Sequence, residues 1–160
     1  MAEILGIVAS TGQLLDGTVK VISLIANLSS DFRNVPSRVS SGLKQLQQFK
    51  VLLEMIQKDF CTSAYEPSSV SRDRIPGDRA TFASVMITES LAQIQLLDKI
   101  LRRLSPEGRP LVQRIWRKLV SIATEDDIVK IFDQIERSMS SIQLWYNHET
   151  LLLVQRNLWV

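Results

Sequence analysis

Apolar residues recur every three or four positions through most of this chain, a spacing that leaves little room for anything but packed helices. Between Pro36 and Phe60 the apolar positions are Val39, Leu43, Leu46, Phe49, Leu53, Ile56 and Phe60. From about Asp78 the pattern returns at Ile87, Leu91, Ile94, Leu97, Leu101 and Leu104, and the turn-rich stretch Ser105–Pro110 stops it. A shorter segment sets Leu111, Ile115, Leu119 and Ile122 on one face. A last helix carries Ile128, Ile131, Ile135, Met139, Ile142 and Trp145. Each stripe predicts an amphipathic helix. Long stripes at heptad-like spacing, joined by short connections, predict an all-α fold: an antiparallel bundle of four to five helices. Local signals agree. Pro36 suits a first helical turn, where its missing N–H is not needed. Asp78 is placed to cap a helix, and Thr124 with Asp127 has capping-box spacing.

The first 28 residues depart from this regularity. Only Glu3, Asp16 and Lys20 are charged, and apolar residues fall nearly all round the helical wheel. Such a segment predicts an apolar N-terminal helix, either buried at the centre of the bundle or meeting lipid. Gly6, Gly12 and Gly17 interrupt it, each costing up to about 1 kcal/mol of helix stability relative to Ala. They fit either close helix packing or a segment that rearranges easily.

Composition narrows the possible chemistry. A chain of 160 residues with 45% hydrophobic and 22% charged residues has enough apolar material for one core without disulfide or metal support. The single cysteine, Cys61, has no intramolecular partner, so a reducing compartment is expected. The start MAEILGIVAS lacks a cationic leader, and no apolar run reaches the roughly 18 residues a spanning helix needs. A soluble, cytoplasmic resting state is the expectation. No phosphate loop, nucleophile elbow or zinc-binding motif is present in the sequence. A dyad between Cys61 and His148 has no local support, and the acidic pair Asp126–Asp127 fits the first turn of a helix, where it complements the dipole. The sequence predicts no enzyme, no cofactor and no metal site.

Residues 99–118 form a basic stretch, with Lys99, Arg102, Arg103, Arg109, Arg114, Arg117 and Lys118 against one acid, Glu107. Arg114, Arg117 and Lys118 share a helical face by their spacing. These cations fit a solvated surface. They fit equally a patch for anionic lipid headgroups, worth about 1 kcal/mol per residue near a charged leaflet. Arg102, Arg103, Arg114, Arg117 and Lys118 are the anionic-lipid candidates. Nucleic acid is not an expected partner, because no binding motif or interleaved aromatic residues accompany the charge.

Three segments carry a family resemblance. AEILGIVASTGQLLDGTVKVISLIANL looks like the first helix of fungal HeLo-like domains, SSDFRNVPSRVSSGLKQLQQFKVLLEMI resembles their second, and IWRKLVSIATEDDIVKIFDQIERSMSSIQLW resembles their closing part. Such domains stand at the N-termini of fungal STAND (NLR-like) receptors, and related ones occur in heterokaryon incompatibility proteins. The resemblance implies a programmed-cell-death effector that oligomerises and moves from cytoplasm to membrane, which it disrupts through its N-terminal helix. Carried over by position, it makes Ile4, Leu5, Ile7 and Val8 the membrane-insertion candidates. The implied partners are further copies of the chain, anionic membrane lipids and a cognate receptor domain. A soluble adaptor or oligomerisation domain without membrane activity is the alternative. The bundle is expected over residues 1–146, with 147–160 as a helical extension or a linker to another domain.

Overall fold

The computed structural model describes residues 2–30, 37–65, 77–104 and 123–158. They form four helices: α1 (Ala2–Ser30), α2 (Ser37–Tyr65), α3 (Gly77–Leu104) and α4 (Ala123–Leu158). No strand occurs among the described residues. The expected all-α bundle is what the chain forms. The short segment Leu111–Ile122 lies outside the described residues, and the expected boundary after Tyr146 falls inside α4, which continues without a break.

Packing follows the heptad spacing closely. The buried seam of α2 runs Val39, Gly42, Leu46, Phe49, Leu53 and Ile56, and that of α3 runs Ala80, Ala83, Ile87, Ser90, Ile94, Leu97 and Leu101. In α4 the same alternation of three and four residues links Ile128, Phe132, Ile135, Ile142, Tyr146 and Glu149, with Met139 half-buried between them. Ile131 and Trp145 widen this seam. In α1 the seam is Ile7, Thr11, Leu14, Thr18, Val21 and Ile25. A strict seven-residue repeat keeps each seam on one side of its helix only if the helices coil gently around one another.

Four helix pairs make the bundle: α1 with α2, α1 with α3, α3 with α4, and α2 with α4. The pairs α1/α4 and α2/α3 therefore lie across the diagonals. Side-chain contacts give the directions. Gly42 faces Phe132, Gln45 donates to Glu136 at 3.0 Å, and Tyr146 donates to Asp59, so α2 and α4 run parallel. Arg79 at the start of α3 meets Glu149 late in α4, and Gly12 early in α1 faces Gln57 late in α2, so these pairs are antiparallel. The helices alternate up and down, and α2 and α3, consecutive in sequence, lie across a diagonal.

One end of the bundle thus gathers the start of α1, the end of α2, the start of α3 and the end of α4. With 36 residues against 28 or 29, α4 is longer by about 10 Å at 1.5 Å per residue.

Candidate functional site

The start of α1 holds the insertion candidates. Ile7 is 2% exposed and belongs to the core, whereas Val8 on the neighbouring face is half-buried. Ile4 and Leu5 lie in α1, but their side chains fall outside the described set. Besides Val19, the exposed positions of α1 carry Gly6, Ala9, Gln13, Asp16, Lys20, Ser23, Ala26 and Asn27. Val19 is the one large apolar side chain exposed on this helix among the described residues. The low charge of α1 thus reflects small and neutral residues outside as much as apolar ones inside.

Its three glycines have different surroundings. A Cβ at Gly6 would meet open space, one at Gly12 would touch the Gln57 amide at 3.5 Å, and one at Gly17 would press on Ile94 at 3.1 Å. Close packing accounts for Gly17 alone.

Two threonines occupy core positions of α1. The Thr18 hydroxyl donates to the Leu14 carbonyl at 2.8 Å, a bond within the helix. The Thr11 hydroxyl, fully buried one turn after Ile7, has no hydrogen-bond partner. A buried polar group left unmatched costs about 1–3 kcal/mol. The seam that holds α1 is therefore weakened close to its start.

The same end of the bundle carries a polar and aromatic cluster between α2, α3 and α4. Phe60 stacks on Trp145 with ring centroids 5.6 Å apart and planes 13° from parallel. The buried Glu149 carboxylate lies 3.5 Å from the Arg79 guanidinium and 3.7 Å from His148 Nδ1. The Arg79 contact is at ion-pair distance only: Glu149 Oε1 receives no well-formed hydrogen bond, and the buried Trp145 N–H also lacks an acceptor. Periodicity alone does not reveal this cluster. Glu149 lies past the stripe that ends at Trp145, and nothing local marks Asp59 as the partner of a residue 87 positions away.

Burial and the adjacent Asp59 carboxylate raise the Tyr146 phenol from the ordinary 10 to about 12. The folded state favours the neutral phenol, so this contribution to stability is complete below pH 10 and is lost as the pH rises from 10 to 12. Wild type should therefore lose stability relative to Tyr146→Phe across that interval, because the phenylalanine has no proton to release. Urea midpoints of both proteins at a series of pH values check this. A constant difference between them would refute it.

The basic candidates lie elsewhere. Arg102 is near the end of α3, at the opposite end of the bundle, with its Nε 2.7 Å from Asp98. It is about 35 Å along α3 from Arg79, at 1.5 Å per residue. Arg103 also lies in α3, but its side chain is outside the described set, and Arg114, Arg117 and Lys118 lie outside the described residues. Arg102 and the start of α1 are not brought together.

Among the described residues no cluster of His, Cys, Asp and Glu has metal-binding geometry, and no hydrogen bond joins Cys61 to His148. A shallow groove of about 330 Å³ between α1 and α3 is bordered by Asp16, Lys20 and Asp98. Its charges are already paired, Asp16 with Lys20 at 2.6 Å and Asp98 with Arg102. Among the described residues no helix is long and apolar enough to cross a membrane. No family model, no curated protein and no solved structure matches the chain.

Proposed function

We propose that this chain is a membrane-directed effector domain of the HeLo-like type, which self-assembles and disturbs a lipid surface through the start of α1. The observation that carries this reading is the asymmetry of exposed apolar surface. Phe82 and Val85 early in α3, with Leu151 and Val154 late in α4, are about half exposed or more. All four lie toward the end where α1 begins, as does Leu144, 71% exposed. Among the described residues Val51 and Met55 sit nearer the middle of the bundle, and Val19 and Leu96 lie in its other half. Exposed apolar residues concentrated at one end favour contact with an apolar partner there.

The energetics limit how much of α1 takes part. Ile7, Leu14, Val21 and Ile25 are fully buried. At about 1.5–3 kcal/mol each, releasing them together would forfeit roughly 6–12 kcal/mol. That is comparable with the whole stability of a domain, about 5–15 kcal/mol. Among the described residues, the turns before Gly12 hold one fully buried apolar side chain, Ile7, and their release frees the region where Thr11 is unmatched. In this proposal the active element is therefore residues 2–8, and the rest of α1 stays in the bundle. Arg102 then contacts lipid only when the bundle lies along the surface, not when it stands on its apolar end.

Dye release from vesicles containing anionic lipid, with the domain held in clusters by an inducible dimeriser, tests the reading. Clustering should raise the leakage rate at least tenfold, and deletion of residues 2–8 should return it to background while helicity persists. Absence of leakage from clustered, folded protein would overturn the membrane reading in favour of a soluble adaptor.

A further inference from the structure

The outer face of α3 carries a second stripe that the bundle does not use. Phe82, Val85, Glu89, Ala92, Leu96 and Lys99 follow one another at three- and four-residue steps, and all are exposed. Phe82, Val85 and Leu96 are each close to half exposed. This is heptad spacing on the side of α3 opposite its buried seam, on a helix already fixed in place by α1 and α4. A rigid helix bearing a solvent-facing apolar stripe is a ready surface for another helix.

We infer that the occupant is α3 of a second copy, packed antiparallel about a two-fold axis. The stripe is complementary to itself in that orientation. Interleaving the two helices sets Val85 against Leu96 of the second copy, and Leu96 against its Val85. The one carboxylate in the middle, Glu89, falls opposite Ala92, the smallest side chain of the stripe, and has room to bend toward water. Phe82 falls opposite Lys99, whose aliphatic stem covers the ring while its ammonium stays solvated. A parallel pair would instead set Glu89 against Glu89 and Lys99 against Lys99, placing like charges opposite each other at two levels of the seam. An isologous two-fold contact needs this kind of self-complementarity.

The size of the contact determines how it behaves. A 28-residue helix is about 42 Å long. A strip about 10 Å wide along it buries roughly 400 Å² per copy, below the roughly 800 Å² per partner of a standard stable interface. The contact is thus weak between freely diffusing molecules and forms when copies are held close, since tethering supplies an effective concentration in the millimolar range. It deepens the effector reading, on which its biological use rests, by naming a surface through which clustered copies meet. Because the pair is antiparallel, its two α1 starts point opposite ways, so paired copies meet lipid lying along the surface, with Leu151 and Val154 left exposed while Phe82 and Val85 are covered. The contact itself involves no lipid.

Sedimentation equilibrium of the domain without lipid should show a monomer–dimer equilibrium whose dissociation constant rises at least tenfold in Leu96→Glu, with unchanged helicity. Cysteine crosslinking then gives the direction, in a Cys61→Ser background. Val85→Cys protein mixed with Leu96→Cys protein should form a disulfide-linked dimer, whereas Val85→Cys alone should not. A dimer unaffected by Leu96→Glu, crosslinking of Val85→Cys with itself, or no self-association at millimolar concentration would each overturn the inference. Loss of membrane leakage with dimerisation intact would sink the effector reading and leave this contact standing.

Discussion

Replacing Gly42 with valine should destabilise the bundle by about 3 kcal/mol, a large effect for adding three carbon atoms to a chain of this size. Gly42 lies in the buried seam of α2, and a Cβ there would come within 3.0 Å of three ring carbons of Phe132. The ring of Phe132, 6% exposed, is seated directly on the α2 backbone. Substitution by Ala would recover up to about 1 kcal/mol of helix propensity, yet still force the ring to move. The ring lies between two parallel helices in a packed core, so movement requires an off-rotamer side chain or a wider helix separation. Phe132→Ala alone should cost about 3–5 kcal/mol by leaving a cavity. The double variant is the informative one. Valine at position 42 fills part of the space the ring vacates, so Gly42→Val with Phe132→Ala should be more stable than the sum of the single effects by at least about 1 kcal/mol. Additive effects in urea unfolding would mean that the two positions do not share this space.

Gly42 also shows where the sequence was readable and where it was not. The apolar pattern from Val39 to Phe60 leads through Leu43, and the helix forms as expected, but the buried position is Gly42, with Leu43 only half-buried. The same displacement occurs in α3. There Leu91 continues the apolar stripe and is half-buried, while the neighbouring Ser90 is fully buried with its hydroxyl donating to Met86 at 2.8 Å. Periodicity detects a helix and its inward face because several large side chains must agree. It does not detect the positions where a close neighbour selects a small residue, because glycine and serine carry no apolar signal. In α4 the expected stripe is buried apart from the half-buried Met139, but Phe132, Tyr146 and Glu149 share the seam for reasons that reside in α2 and α3. The candidate site was legible to the same extent. The low charge of the first 28 residues marks α1 as unusual, yet its outward face is mainly small and neutral. That Arg102 and the start of α1 lie at opposite ends depends on helix directions, which no local pattern encodes.

Thr11→Val should raise stability by about 1–2 kcal/mol while weakening any activity that requires the start of α1 to leave the bundle. Valine has nearly the shape of threonine, so the fully buried site is refilled without a cavity. What changes is the hydroxyl, which at Thr11 is buried without a partner. Removing a polar group whose hydrogen bonds are not made avoids its desolvation penalty, of order 1–3 kcal/mol. Thr18 is the control, because its hydroxyl bonds to the Leu14 carbonyl and Thr18→Val removes a bond that is made. The gain at Thr18 should accordingly be smaller than at Thr11, or reversed. Stability gained at Thr11 bears directly on the turns from Ala2 to Val8, since opening them exposes the surroundings of Thr11 to water, where its hydroxyl finds partners. Water thus favours the open form in wild type and does so less in the valine variant. Hydrogen exchange of the amides in this region should slow about tenfold in Thr11→Val, the equivalent of roughly 1.4 kcal/mol. Leakage from anionic vesicles under forced clustering should fall in parallel, while self-association through α3 is unchanged. Slower exchange with undiminished leakage would separate membrane activity from the release of α1 and place it instead on the exposed apolar residues of α3 and α4.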